Sequence, residues 1–326
     1  MLKIRTSLLL LTIAFILNGC ERNTPSDITG DNIPPAVPTN VKIYSAEDGE
    51  ILLAWHANVE IDLKGYKIYR STDSTNFSFI DFSDQNYYLD DSLDYNIKYY
   101  YRITAVDVQN LESEPSTVVS AIPINKYRPL APRFPTINAR NWPGDISVYL
   151  TWDPGYETDI AGFYIHRSTE SGFVPDSLNL VGFSPASNYR DTLNLALLTR
   201  YYYKIIAVDK GDLMSDPSSQ VDDEILPAAE GVYPIGVIRT NTLTFKFIAL
   251  SVPATYEISL QSNPYFGEIW SKEISTNTVN DTVSIDFDGY YYVDYNVNYY
   301  WRVATYTVSS NPNSISSLYN FLVEQE

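Results

Sequence analysis

From Pro38 onward the chain alternates apolar and polar residues with a period of two. Tyr99, Tyr101, Ile103 and Ala105 share one parity while Tyr100, Arg102 and Thr104 share the other; Ile51, Leu53, Trp55 and Leu243, Phe245, Phe247 alternate in the same way. Successive side chains of a strand point to opposite faces, so each run predicts a short strand with one face in a core and one in water. In the late run the first set is expected inward and the second outward. Clusters of Pro, Gly, Asn and Asp interrupt the alternation roughly every ten residues, the punctuation of antiparallel strands in a sandwich. No segment sustains a capped apolar period of 3.6, so helices are expected to be almost absent.

The pattern repeats. Trp55, Asp62, Gly65, Tyr66, Arg70, Ser71 and Thr72 match Trp152, Asp159, Gly162, Phe163, Arg167, Ser168 and Thr169 at an offset of 97. Further on, Tyr99–Tyr101, Ala105, Val106, Asp107, Ser113, Pro115 and Ser116 match Tyr201–Tyr203, Ala207, Val208, Asp209, Ser215, Pro217 and Ser218 at an offset of 102. Five residues are therefore inserted between the blocks, where residues 73–88 and 170–189 carry turn formers. A third, diverged copy keeps Leu243, Phe245, Tyr256, Ile258, Leu260 and Tyr299–Val303, with Phe247 in place of the tryptophan and Thr305 in place of the alanine. Three domains follow, at residues 36–124, 125–226 and 227–326. Proline-containing joints at 123–135 and 222–234 predict stiff, semi-extended spacers.

Composition sharpens this reading. Tyrosine, at 28 residues, is the most unusual count, and it favours pleated, half-buried surfaces. The residues resemble the fibronectin type III family: Pro38 opening the first strand, Trp55 and Trp152, the Asp-x-x-Gly-Tyr/Phe step, and the Tyr-x-Tyr-x-Ile-x-Ala strand followed by Val-Asp and Ser-x-Pro-Ser. The resemblance covers residues 36–326 and implies an all-β chain of three tandem immunoglobulin-like, seven-stranded sandwiches without disulfides. It also implies core roles for Trp55 and Trp152. Tyr99, Tyr201 and Tyr299 would bond nearby backbone through their hydroxyls.

At the N-terminus, Lys3 and Arg5 precede the apolar run Leu8–Leu17, then Asn18, Gly19 and Cys20. This run is too short to span a bilayer and has the form of a secretory signal. Cys20, the only cysteine in the chain, sits where the lipobox of bacterial lipoproteins places its acylated thiol. The resemblance implies a signal peptide at 1–19, a lipid anchor on Cys20 and a location in the bacterial cell envelope. Residues 20–35 are polar and turn-forming and read as a flexible tether.

The remaining chemistry narrows the function classes. A formal net charge of −18 disfavours nucleic acid as a partner. His56 and His166 are the only histidines and read as packing or surface residues, so neither a nucleophilic triad nor a zinc site is expected. No catalytic, cofactor-binding or metal site is assigned. Clusters at Asp90, Asp91, Asp94, at Asp222, Asp223, Glu224 and at Asp286–Gly289 read as solvated turns. Lys210-Gly211-Asp212 lacks the arginine of an Arg-Gly-Asp adhesive loop.

Asp-Ser/Thr pairs beginning at Asp73, Asp91, Asp176, Asp191 and Asp281 resemble an O-glycosylation pattern of exported Bacteroidota proteins, although they also read as ordinary turns. Tyr100, Tyr202 and Tyr300 recur at one outward position and form a speculative binding stripe. The expected function is a non-enzymatic, membrane-anchored spacer and protein-interaction or adhesion surface. The alternatives are a carbohydrate-binding accessory protein, with a glycan in place of a protein partner, and a small hydrolase. Replacing Cys20 by Ala is expected to abolish metabolic labelling with a clickable fatty acid; undiminished labelling would refute the anchor.

Overall fold

A computed structural model describes residues 32–240, 242–289, 293–307 and 311–324. Cys20, the signal segment and residues 20–31 of the tether lie outside the described residues. No helix occurs among the described residues, which fold as tandem immunoglobulin-like β-sandwiches around three separate cores.

The first module comprises β1 (Lys42–Glu47), β2 (Glu50–Ala54), β3 (Leu63–Ser71), β4 (Ser78–Ser83), β5 (Tyr87–Asp90), β6 (Tyr99–Asp107) and β7 (Val119–Ala121). One sheet has the order β1-β2-β5 and the other β4-β3-β6-β7. The second module repeats this with β8 (Arg133–Trp142), β9 (Asp145–Asp153), β10 (Ile160–Ser168), β11 (Leu180–Ser184), β12 (Asn188–Asp191), β13 (Thr199–Asp209) and β14 (Val221–Ile225). The third contains β15 (Glu230–Tyr233), β16 (Gly236–Ile238), β17 (Thr244–Ile248), β18 (Ala254–Gln261), β19 (Glu268–Thr276), β20 (Thr282–Asp286), β21 (Asn298–Tyr306), β22 (Ser314–Ile315) and β23 (Tyr319–Val323). The five-residue insertion falls in one loop, since six residues separate β3 from β4 and eleven separate β10 from β11.

Each module has its own core. Trp55 meets Tyr66 edge-on at 5.1 Å, Trp152 meets Phe163 at 5.2 Å, and Phe247 packs on Tyr256 at 4.8 Å. The glycine of the Asp-x-x-Gly step is a close-approach residue: a methyl at Gly65 would strike the Phe82 ring and Ser83 carbonyl, and one at Gly162 would strike Phe183 and Ser184. The hydroxyls of Tyr99, Tyr201 and Tyr299 accept hydrogen bonds from the amides of Asp94, Ala196 and Asp294 at 3.1, 2.9 and 3.1 Å. In β6, Tyr99, Tyr101, Ile103 and Ala105 are buried as the alternation predicts. Thr104 is buried too, at 3% exposure, because its hydroxyl bonds Glu112 of the following loop.

The Ser-x-Pro-Ser motif completes the ladder where proline interrupts it. Ser113 and Ser116 accept hydrogen bonds from the amides of Ala105 and Ile103, and Ser215 and Ser218 do the same for Ala207 and Ile205. Each hydroxyl donates to the carbonyl of the next residue. A serine thus fills the role a partner strand would otherwise play, and no buried amide is left unpaired there.

Two carboxylates expected in solvated turns are buried. Both Asp90 oxygens accept from Arg70 Nη1, at 2.9 and 3.0 Å, and Oδ2 also accepts from the Tyr101 hydroxyl at 2.6 Å. The second module repeats this triad as Arg167, Asp191 and Tyr203, at 2.6 and 2.8 Å, with Asp191 fully buried. Burial and the adjacent carboxylate raise both tyrosine hydroxyls far above their ordinary pKa. In the third module the corresponding positions are Leu260, which faces Trp301, and Phe287, which bonds Leu243. The arginine and aspartate are replaced by apolar side chains and the tyrosine by tryptophan together, the change that avoids stranding a buried charge.

The second correction is Asp223, which lies in the expected spacer between modules two and three yet is only 3% exposed. That segment is no free spacer: it forms β14 through Ile225, and Leu226 and Ala229 belong to the third core. Asp223 Oδ2 accepts from the Ala139 amide and from Asn313 Nδ2, both at 2.9 Å. Asn313, fully buried, in turn accepts from the Thr307 amide and hydroxyl. Asn141 donates to Leu226 O at 2.9 Å, Trp142 Nε1 donates to Pro312 O at 3.0 Å, and β22 pairs with β8 at Ser314 and Asn141. Modules two and three therefore share a sheet. Burial raises the Asp223 carboxyl above the usual range, against the pull of these donors.

Replacing Asp191 by Ala strands Arg167 and is expected to cost about 3–5 kcal/mol in denaturant unfolding. The triple replacement Arg167→Met, Asp191→Leu, Tyr203→Phe should cost clearly less; an equal or larger loss would sink the triad argument. In calorimetry, modules two and three are expected to melt as one unit, and Asn313→Ala to split that transition into two. A single, merely shifted peak in the variant would contradict the clamp.

Candidate functional site

The sequence-predicted residues separate by role. Tyr100, Tyr202 and Tyr300 are each half-buried on the outward side of β6, β13 and β21, where Lys98 lies 5.2 Å from the Tyr100 ring centre. His166 is buried, and its Nδ1 donates to Asn179 Oδ1 at 2.9 Å, pinning the longer loop of module two. His56 is exposed, with Nε2 2.8 Å from Asn40 Nδ2. Asp286 and Asp288 take bonds from Thr244 and from Trp270. Among the described residues no three His, Cys, Asp or Glu side chains converge as a metal site would require. The hydroxyl residues of the Asp-Ser/Thr pairs, Ser74, Ser92, Ser177, Thr192 and Thr282, are all exposed.

The feature that stands out was not picked by the repeat. It lies at the open end of the β8–β9 hairpin, where Arg133 faces Asp153. A bulge between Arg133 and Thr136 breaks the pairing, and Phe134 adopts a φ of +48°. A bulge re-aims side chains, and here it turns the Phe134 ring into solvent at 78% exposure. Positive φ is unfavourable for a bulky residue, and Pro135 disfavours a helical conformation in its predecessor as well.

Across the hairpin, Asp153 organises the second half. Its Oδ2 accepts from Arg133 at 2.8 Å, and its Oδ1 accepts from the Gly155 amide at 2.9 Å. Gly155 has a φ of +89°, which suits glycine in this tight turn. The turn presents Tyr156 at 90% exposure. The Arg133 guanidinium carbon lies 6.0 Å from the Phe134 ring centre and 5.4 Å from that of Tyr156, so one cation is shared by two exposed rings.

The signal for this site was a mismatch in the repeat. At the offset of 97, Arg133, Phe134 and Tyr156 correspond to Ala36, Val37 and Val59 of the first module. The matches revealed what every module needs, and the substitutions revealed what only module two carries.

No protein-family profile matches the chain. A stretch of 213 residues, 62% of the chain, is 27% identical to Exoglucanase B of Cellulomonas fimi and spans only 18% of that protein's length. Among solved structures, the FN1–FN3 domains of chicken CNTN1 align over 90% of this chain and 100% of theirs, with a TM-score of 0.36 and 13% identity.

Proposed function

We propose that this chain is a non-enzymatic protein of the bacterial cell envelope, anchored by a lipid on Cys20, whose sandwiches act as spacer and as an interaction or adhesion surface. The observation that carries this reading is the division of polar groups. Those that are buried hold the modules together, as in the Arg–Asp–Tyr triads and the Asp223–Asn313 clamp. The exposed cation and rings of Arg133, Phe134 and Tyr156 stand at a loop end, away from that clamp along the same hairpin. Such an arrangement suits presentation of a surface.

A second reading, that of a carbohydrate-binding accessory protein, is favoured by the same exposed ring pair. The partial likeness to a protein named as an exoglucanase points in that direction.

Fractionation of the producing cells tests the first reading. The wild-type chain is expected to sediment with membranes and to be released by detergent, while Cys20→Ala moves to the soluble fraction. In-cell crosslinking of the membrane form should then capture an envelope component. A wild-type chain found only in the soluble fraction would overturn the anchored-spacer reading.

A further inference from the structure

We propose that Arg133, Phe134 and Tyr156 form a stacking site for a neutral polysaccharide chain, an inference that rests on the carbohydrate-binding reading. Three observations converge on it. Phe134 holds an unfavourable backbone conformation at the bulge, and its ring stands in water. Strain retained without a packing reward is typical of binding sites. Tyr156 is exposed as fully, from a turn whose geometry is set by Asp153. A single guanidinium, itself fixed by Asp153, lies near both rings and limits their freedom before any ligand arrives. The site is therefore built in advance, from four residues on one hairpin.

The chemistry of the surface selects the ligand. An exposed ring offers a flat face with partial negative charge, which suits the C–H face of a pyranose. Arg133 supplies donors and Asp153 acceptors for the hydroxyls at the sugar's edge. The chain's net charge of −18 disfavours polyanionic glycans. A protein partner would need a continuous apolar centre around its anchors, whereas an ion pair, Arg133 with Asp153, lies directly beside the two rings. Two ring faces on an open surface suit the length of a chain better than a single sugar end. A second exposed ring pair, Tyr265 and Phe266 in the loop between β18 and β19, is presented by Asn263.

Affinity electrophoresis of the detergent-solubilised full chain tests this, with hydroxyethyl cellulose, mixed-linkage β-glucan or soluble starch cast in the gel. The wild type is expected to be retarded by at least one of them. Phe134→Ala and Tyr156→Ala should each weaken retardation about tenfold or more, as loss of a stacking anchor does, while Tyr202→Ala and Tyr265→Ala leave it unchanged. Phe134→Gly adds a test that misfolding cannot mimic: it should raise the melting temperature, since glycine accepts this φ, while weakening retardation equally. Retardation unaffected by Phe134→Ala and Tyr156→Ala would overturn the site and leave the carbohydrate reading standing. A wild type not retarded by any of the three polysaccharides would overturn both.

Discussion

Every sandwich in this chain depends on satisfying one central strand along its full length. β6, β13 and β21 each lie between neighbouring strands and bury large side chains in their modules, among them Tyr101, Tyr203 and Trp301. With one cysteine in the chain, a disulfide within any module is excluded, so the strand must be held by rings, ladders and caps. The tyrosine at its start closes the preceding loop, and serines take over where a proline removes a ladder amide. The tyrosine excess follows from this. Tyr99–Tyr101, Tyr201–Tyr203 and Tyr299–Tyr300 supply eight of the 28, repeated because the strand is repeated.

The same strand position admits two solutions. In the first two modules a hydroxyl enters the core, and an aspartate and an arginine accompany it to satisfy the resulting polar group. In the third, tryptophan occupies the position, and leucine and phenylalanine replace the companions. Single exchanges would leave a desolvated charge or an unpaired hydroxyl, each more expensive than either complete set. The divergence of the third copy is therefore concerted in its core. Trp301 still donates its indole N–H to Pro234 O at 2.7 Å, so the larger ring keeps its own polar atom satisfied.

Strand alternation, the repeat and the five-residue insertion were legible because each depends on local spacing. The burial of Asp90 and Asp223 was not legible, since it depends on partners far away in the chain: Arg70 and Tyr101 in one case, Ala139 and Asn313 in the other. An aspartate beside a proline-rich joint has the same local signature whether it faces water or accepts four donors. The joint between modules two and three illustrates the limit further. Its prolines suggest a semi-extended spacer, whereas the segment pairs in β14, lends Leu226 and Ala229 to the third core, and is bridged by Asn313 and Trp142. Arg133, Phe134 and Tyr156 are hidden in the sequence for another reason. They interrupt the repeat where the modules differ, and a residue unique to one module is where a shared scaffold acquires its own role.

The β8–β9 hairpin connects these two themes. At its tip, Asn141 and Trp142 fasten the third module; at its open end, the bulge at Phe134 and the turn at Gly155 set two rings in solvent. Ten residues of β8 separate the ends by roughly 30 Å at the usual rise per residue. A bulge is tolerated at the open end because the rest of the ladder, from Thr136 to Trp142, remains paired with β9. The third module reinforces that paired half through β22, so the strain at Phe134 is carried by a strand anchored on two sides. β8 is thus fastened to the third module at one end and carries the bulge with its exposed ring at the other.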